Sequence, residues 1–586
     1  MIKDRRAQSP RPDFYREEWI DLNGIWKFAF DDEDRGMKER WFEQFPDAGT
    51  IRVPFCYQSE AGGIGDTGIH PVMWYEREVD LTEAAREKRI WLHFGAADQN
   101  TVVWVNGCAA GAHRGGFTPF SFSVSEFAGE GEERIRITVR CSDENEAGQV
   151  RGKQHWNRTT DRCWYTATSG IWQNVWMELT GKIRMERVKL TPDIDTRTVE
   201  AGIFLSEKPA CGEVKWQISL DGMKLAEGTQ TIRDRRERLL ISMKDADVID
   251  NRQGLWEPDH PVLYDMILTV YDGEELQDRV ETYFGMRKIE QRDGRIYLNH
   301  VPLFQKLVLD QGYWPDTLMT PRDGEALYRD LLLAKQMGFN GVRKHQKLED
   351  PRYLYYADVL GMLVWEEMPS AYEFWDGGVR EIADTCLEMV ERDYNHPCII
   401  TWVPFNESWG IRDVLWDRRQ QAFAESMYHL IRSVDDTRLI STNDGWEAVR
   451  TDIIGIHDYE NRGSVLAEKY ADRERLIKMN AVDKMVLSRG MEYGGEPVLL
   501  SEFGGFAMED GSEVSWGYHE KLKGPEKLLE KIEELLEAVD HIPYLFGWCY
   551  TQLTDVEQET NGLLSADRKP KADMDRIREM ITGRQR

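Results

Sequence analysis

Three regimes of hydrophobic patterning divide the chain. From residue 14 to about 182, apolar and polar positions alternate with a period of two in short runs at 24–30, 89–94, 101–105 and 134–139. Turn signals such as Asn106-Gly107 separate them, so residues 1–182 are expected to form a jelly-roll-like antiparallel β sandwich. A second set of short strands follows at 188–190, 213–218, 239–241 and 266–271. About a hundred residues of this kind, 183–290, predict an immunoglobulin-like β sandwich. Over 291–586 the period changes. Apolar runs near 303–309, 340–344, 361–366, 398–405, 439–442, 452–457, 497–501 and 545–550 alternate with amphipathic stretches at 323–337, 350–360, 378–393, 413–434 and 525–539. Eight such units predict a (β/α)8 TIM barrel. No G-x-G-x-x-G follows a strand, which removes the dinucleotide-binding alternative.

Composition narrows the class. At 586 residues the chain is too long for one core. Its 104 acidic and 75 basic residues leave a net charge of −29, which disfavours nucleic acid and anionic membranes as partners. No apolar run reaches the roughly 18 residues of a membrane span. The basic N-terminal residues have no apolar stretch behind them, so no secretory signal is predicted and a cytoplasmic location is expected. Eight scattered cysteines without C-x-x-C spacing predict reduced thiols and neither disulfides nor a zinc site. The 21 Trp, 22 Tyr and 21 Phe suit large sheet cores as well as surfaces on which sugars stack.

In a TIM barrel the chemistry sits at the C-terminal ends of the strands. Two apolar runs there end abruptly on carboxylates. The fourth leads into Asn406-Glu407-Ser408-Trp409, and the seventh into Ser501-Glu502-Phe503. One such glutamate is commonly a cap or a salt-bridge partner. Two across one barrel, without a metal-binding histidine set, point to the paired carboxylates of a glycosidase.

The sequence resembles glycoside hydrolase family 2 over nearly its whole length. Asp21-Leu22-Asn23-Gly24-Ile25-Trp26 and Tyr165 through Trp172 resemble the family's sugar-binding domain. Leu255-Trp256-Glu257-Pro258 and Phe284-Gly285-Met286-Arg287 resemble its immunoglobulin-like domain. Residues 338–345, 358–364, Asn406-Glu407 and Ser501-Glu502 resemble its catalytic signatures. The resemblance implies a retaining exo-β-glycosidase with Glu407 as general acid/base and Glu502 as nucleophile. It further implies His345 in the sugar shell and Tyr459 touching the nucleophile. Asn406 is placed to donate to the sugar 2-hydroxyl and Arg343 to support the nucleophile carboxylate, and Trp548, ending the eighth strand, is either an aromatic floor under the sugar or a core tryptophan. Asp310 and Gln311 are candidates for sugar hydroxyls, while Trp365 to Glu367 read as a cap on the third strand. The acid should carry a raised pKa, part of it supplied by the second carboxylate. No cofactor is expected. Some members use Mg2+, but no cluster of hard-cation ligands stands out, so no metal is expected either. Dimers and tetramers are common in the family, making a homo-oligomer possible.

The sugar is less determined. The family's β-glucuronidases carry an Asn-x-Lys pair near the eighth strand, and here Asn561 is followed by Gly562-Leu563. Lys344 and Lys347 are additional basic positions that could attract a carboxylate, although a solvated loop is the plainer reading. A β-galactoside is favoured, ahead of a β-hexuronide (galacturonide before glucuronide) or a furanoside. The non-enzyme alternative is an inactive carbohydrate-binding protein.

Overall fold

The protein is described from a computed structural model covering residues 5–127, 133–157, 159–244, 253–478, 484–509 and 515–583. A six-stranded antiparallel sheet and a four-stranded one build the N-terminal jelly-roll-like sandwich. Gly24–Phe30, Val72–Asp80 and Arg134–Ser142 lie in the larger sheet, and Arg89–Phe94 and Val175–Thr180 in the smaller. Alternate residues such as Trp26, Tyr75, Leu92, Val103, Ile137 and Met177 point between the sheets and are buried. The second unit packs a three-stranded sheet on a four-stranded one, the seven-strand count of an immunoglobulin-like sandwich. Its separate core includes Val188, Ile203, Val214, Met266 and Val280.

The C-terminal unit is a TIM barrel. Its strands are β1 (Gln305–Asp310), β2 (Gly341–Lys344), β3 (Leu363–Glu367), β4 (Ile399–Val403), β5 (Leu439–Ile440), β6 (Ile454–His457), β7 (Val498–Gly504) and β8 (Leu545–Thr551). All pair in parallel, in the order β5-β4-β3-β2-β1-β8-β7-β6. The five expected helices are present as α1 (Gly324–Gln336), α2 (Pro351–Leu360), α3 (Asp376–Asp393), α4 (Arg418–Val434) and α7 (Pro525–Asp540). Three helices were not anticipated, α5 (Gly463–Lys469), α6 (Arg473–Lys478) and α8 (Met574–Thr582). The first two are shorter than the window over which a helical period can be read.

The seam between β5 and β6 has no strand ladder. Asp452 closes it instead, donating its N–H to Ile440 O and accepting the Ile440 N–H on its carboxylate, each at 2.9 Å. Part of the run expected as strand at 452–457 is therefore a stitch that takes the place of a ladder. Pro404, which has no N–H, interrupts the expected run 398–405 after Val403. Beyond it, Phe405–Asn406 pairs again in parallel with Asn443–Asp444, which carries the chain up to Glu407.

Among the described residues no helix is long and apolar enough to cross a membrane.

Candidate active site

Glu407 stands where the β4 extension turns away from the barrel. Its φ is +53° and that of Ser408 is +56°, two consecutive left-handed residues that are not glycine. Such positions cost about 1–3 kcal/mol each and persist only where surrounding bonds hold them. Here the Glu407 N–H donates to Asp444 O and the Ser408 N–H to Asn443 Oδ1, both at 2.9 Å. The turn aims the Glu407 carboxylate into the barrel mouth, where its side chain keeps 20% exposure. Glu502 on β7 lies deeper, at 4%.

Arg343 on β2 is wholly buried and organises the floor. Its Nε donates to Glu367 Oε1 at 2.7 Å and its Nη1 to Glu502 Oε1 at 3.2 Å. Nη2 donates to Asn406 Oδ1 at 3.1 Å and pairs with Asp444 Oδ2 at 3.0 Å. With its oxygen engaged, Asn406 presents its amide NH2 as the remaining donor edge. The Tyr459 hydroxyl donates to Glu502 Oε2 at 2.5 Å, and its ring stacks on Tyr518 with centroids 3.5 Å apart. His345 Nδ1 lies 2.6 Å from Glu367 Oε2. The structure thus brings Arg343, His345, Asn406, Glu407, Tyr459 and Glu502 together at the C-terminal ends of β2, β4, β6 and β7.

His457 sits between the two carboxylates. Its Nδ1 is 2.8 Å from Glu407 Oε1 and 3.4 Å from Glu502 Oε2, while Nε2 is 3.0 Å from Asp444 Oδ2. A Cβ at position 445 would collide with this imidazole, and Gly445 (φ +94°) leaves the space open. Burial alone would lower the His457 pKa. The Glu502 charge and the hydrogen bonds to Asp444 and Glu407 outweigh it and raise the value to about 10. Asp444 is pushed up by burial but held down to about 2 by Arg343 and His457. For Glu407, burial again acts upward, yet the hydrogen bond and charge of His457, with Lys153 and His345, bring its pKa below the usual range. The raised pKa expected of the acid is therefore not its resting state. A cationic imidazolium keeps Glu407 ionised.

One atom each from Glu407, His457 and Glu502 lie within 4.8 Å of one another, the grouping among the described residues that could hold a cation. They are already joined through the His457 proton with Arg343 beside them, so a cation would have to displace that proton and meet the guanidinium charge.

The two-residue period of the strands explains which expectations fail. Arg343 and Glu367 point into the barrel, so Lys344, Asp310 and Trp548 point out of it. Lys344 Nζ pairs with Asp310 (3.2 Å) and Glu349 (2.8 Å), all three buried between the barrel wall and α2. Asp310 also accepts from the Tyr353 hydroxyl at 2.7 Å, so its carboxylate is not available to a sugar. Lys347 is not on a solvated loop either. It is 1% exposed and donates to Gly312 O, Met319 O and Glu349. Burial lowers its pKa to about 8. Trp548 is not a sugar floor, because it packs edge-on against Phe339 and Phe503 in the shell outside the barrel. Glu367 is no mere cap, since it joins Arg343 to His345.

Several residues of the mouth escaped the sequence reading. His457 and Asp444 obey the same strand-end rule that exposed the glutamates and were legible by it. Gln552, the first residue past β8, was legible by it too, whereas Glu559 and Lys153 were not, because loops deliver them. Gln311 Nε2 donates to Gln552, Gln552 Nε2 to Asn561, Asn561 Nδ2 to Glu559 Oε1 and the Tyr165 hydroxyl to Glu559 Oε2, at 2.9, 2.8, 3.0 and 2.5 Å. This chain of polar side chains spans the β1/β8 side of the mouth and ends in the N-terminal sandwich. Burial raises the Glu559 pKa. An aromatic wall of Trp156, Trp164, Tyr372 and Trp409 rises beside Glu407, with ring centroids 4.6–5.9 Å apart.

Two carboxylates facing each other across the mouth of such a barrel place the protein among the glycoside hydrolases. The chain belongs to glycosyl hydrolase family 2. That family's sugar binding domain matches residues 20–178, its middle region 183–287 and its TIM barrel domain 290–585. A β-galactosidase of Thermoanaerobacter pseudethanolicus is 28% identical over 67% of this chain and 51% of its own, so the chain spans about half of that relative's length. A β-glucuronidase of Streptococcus agalactiae is 23% identical with 94% of each chain covered. The solved β-glucuronidase of an uncultured Clostridium shares the fold, with a TM-score of 0.77 at 22% identity over 97% of this chain and 99% of its own.

Proposed function

We propose that the protein is a retaining exo-β-glycosidase acting on terminal β-linked neutral sugars of galactoside type. Residues 1–182 and 183–290 are its accessory sandwiches and 291–586 its catalytic barrel. The observation that carries the reading is the oxygen–oxygen approach of Glu407 and Glu502 to within 4.8 Å. Retaining enzymes hold their carboxyl groups about 5–5.5 Å apart and inverting ones about 6.5–9.5 Å, and an approach of one oxygen from each group to within 4.8 Å is compatible with the shorter spacing. Glu502, oriented by Arg343 and Tyr459, attacks the anomeric carbon while Glu407 protonates the departing oxygen. The proton is at hand on His457: its passage along the 2.8 Å Nδ1···Oε1 hydrogen bond leaves Glu407 neutral and the imidazole neutral. Glu407 then deprotonates the water that releases the sugar from Glu502.

Three observations favour a neutral sugar over a uronide. The Asn-x-Lys pair is missing, Lys344 and Lys347 are consumed by internal partners, and the loop after β8 presents the Glu559 carboxylate. A uronate placed beside it would meet like charge. A panel of p-nitrophenyl β-glycosides tests the sugar. Galactoside turnover is expected, and turnover of uronides alone would contradict the substrate reading while leaving the mechanism standing. Proton NMR of the first product tests the stereochemistry: β-anomer first supports retention, and α-anomer first refutes it.

A further inference from the structure

Lys153 belongs to the N-terminal sandwich, yet its surroundings belong to the barrel mouth. The segment carrying it is clamped there by the Arg151 and Gly152 N–H groups, both donating to Ser370 O at 3.0 Å, and by the Tyr372 hydroxyl on Gly152 O. Gly152 lies so close to Gln346 O that no Cβ fits between them. Tyr165 N–H donates to Lys153 O at 2.9 Å, tying the lysine to the segment whose tyrosine holds Glu559.

The side chain so delivered is 7% exposed. Its ammonium makes no ion pair with any carboxylate among the described residues. It lies beside the Cys163 thiol and 5.8 Å from the centre of the Trp164 ring, within electrostatic reach of Glu407, Glu559 and Tyr372. A buried ammonium has three donors to satisfy and a thiol is a weak acceptor, so leaving it this way is costly. Burial acts against its charge, and Cys163 and Tyr372, followed by Glu559 and Glu407, outweigh it and hold the proton on. Every other buried cation of the mouth is committed: Arg343 to Glu367, Asp444 and Glu502, and His457 to Glu407 and Asp444.

We propose that Lys153 is a substrate-binding, specificity-determining residue that donates hydrogen bonds to hydroxyl oxygens of the bound glycoside. The charges of Glu407 and of Glu559, at the end of the polar chain, both act on it, and the gap between those two carboxylates is where a bound glycoside would lie. A sugar spanning that gap has its acceptor oxygens met by Lys153 and its hydroxyl protons by Glu559. The donor–acceptor pair selects a neutral polyhydroxyl group, and the N-terminal sandwich takes part in reading the sugar. This rests on the β-galactoside reading for its choice of hydroxyl over carboxylate, and on the glycosidase assignment for the rest.

Kinetics of Lys153→Met and Lys153→Arg on the glycoside that the wild type cleaves fastest provide the test. Hydrogen bonds to a charged donor are worth about ten- to a hundredfold in affinity. Lys153→Met should therefore lower kcat/KM by that factor, with Lys153→Arg recovering part of it. In a Glu502→Gln background, Lys153→Met should weaken binding of the same glycoside in calorimetry by a like factor. If Lys153→Met only shifts the pH profile or the melting temperature, and leaves KM and that binding within twofold, the lysine acts on Glu407 or on folding and the proposal falls. Should the wild type cleave uronides alone, the choice of hydroxyl falls with the galactoside reading. The same two variants on the uronide then decide whether Lys153 touches substrate at all.

Discussion

His457 is the residue on which the site's electrostatics turn. Its pKa, raised to about 10 against about 6.5 in the unfolded chain, links folding to pH. The proton is bound more tightly in the folded state. Its stabilisation is thus fully present below pH ~6.5 and is lost as the pH rises through about 10. Asp444, held down to about 2, contributes the opposite way: present above pH ~3.8 and lost as pH falls through about 2. Replacing His457 by Gln should therefore lower the melting temperature more at pH 6 than at pH 10.5, and calorimetry at the two pH values checks this. The same substitution removes the cation that depresses Glu407. His457 stores the donated proton up to about pH 10; without it Glu407 must hold the proton itself, with burial acting upward and Lys153 and His345 downward, so the alkaline limb of kcat/KM should move to lower pH. An unmoved limb would show that His457 does not set the acid's protonation.

At the scale of elements, alternation along each strand decides which side chains reach the sugar. Trp548 shows the consequence. Being on the outer face of β8 against Phe339 and Phe503, it is core, and Trp548→Ala should cost about 3–5 kcal/mol of stability. Chemical denaturation measures that loss. With Phe in its place, kcat/KM should stay near wild type, and a large drop in kcat/KM with stability retained would restore Trp548 to the site. The eight strands and the five longer helices were legible because each repeats a period over enough residues. The inward or outward sense of each strand was not, since β2 is only four residues long and carries one apolar side chain, Val342, before the polar run from Arg343 to Lys347. A period of two cannot be phased without an apolar face to phase it. Asn406-Glu407 and Ser501-Glu502 were legible because a polar pair ends a long apolar run. Glu559 and Lys153 lie in loops, where sequence gives no direction.

At the scale of the whole molecule, the two sandwiches are joined to each other and to the barrel by buried polar contacts. Arg16 is clamped between Glu178 of the first sandwich and Asp278 of the second. Trp256 Nε1 donates to Asp358 O, Arg287 donates to Pro397 O and Ile399 O, and Gln173 donates to Leu348 O. Partners so far apart in sequence leave no local pattern, which is why the joints were invisible while the units were not. Removing Arg16 strands two buried carboxylates, so Arg16→Ala should destabilise by about 3–5 kcal/mol while leaving the geometry of Glu407 and Glu502 intact. A lowered thermal midpoint with kcat preserved at 25 °C is the expected outcome, and an unchanged midpoint would mean the joint carries no stability. The central claim is narrower than the fold: Glu502 is the nucleophile of a retaining reaction. Trapping with an activated 2-deoxy-2-fluoro-β-galactoside, followed by peptide mass mapping, tests it most directly. The account predicts one sugar added per chain, on the peptide at Glu502. A sugar on Glu407, or complete turnover without any adduct, would contradict it.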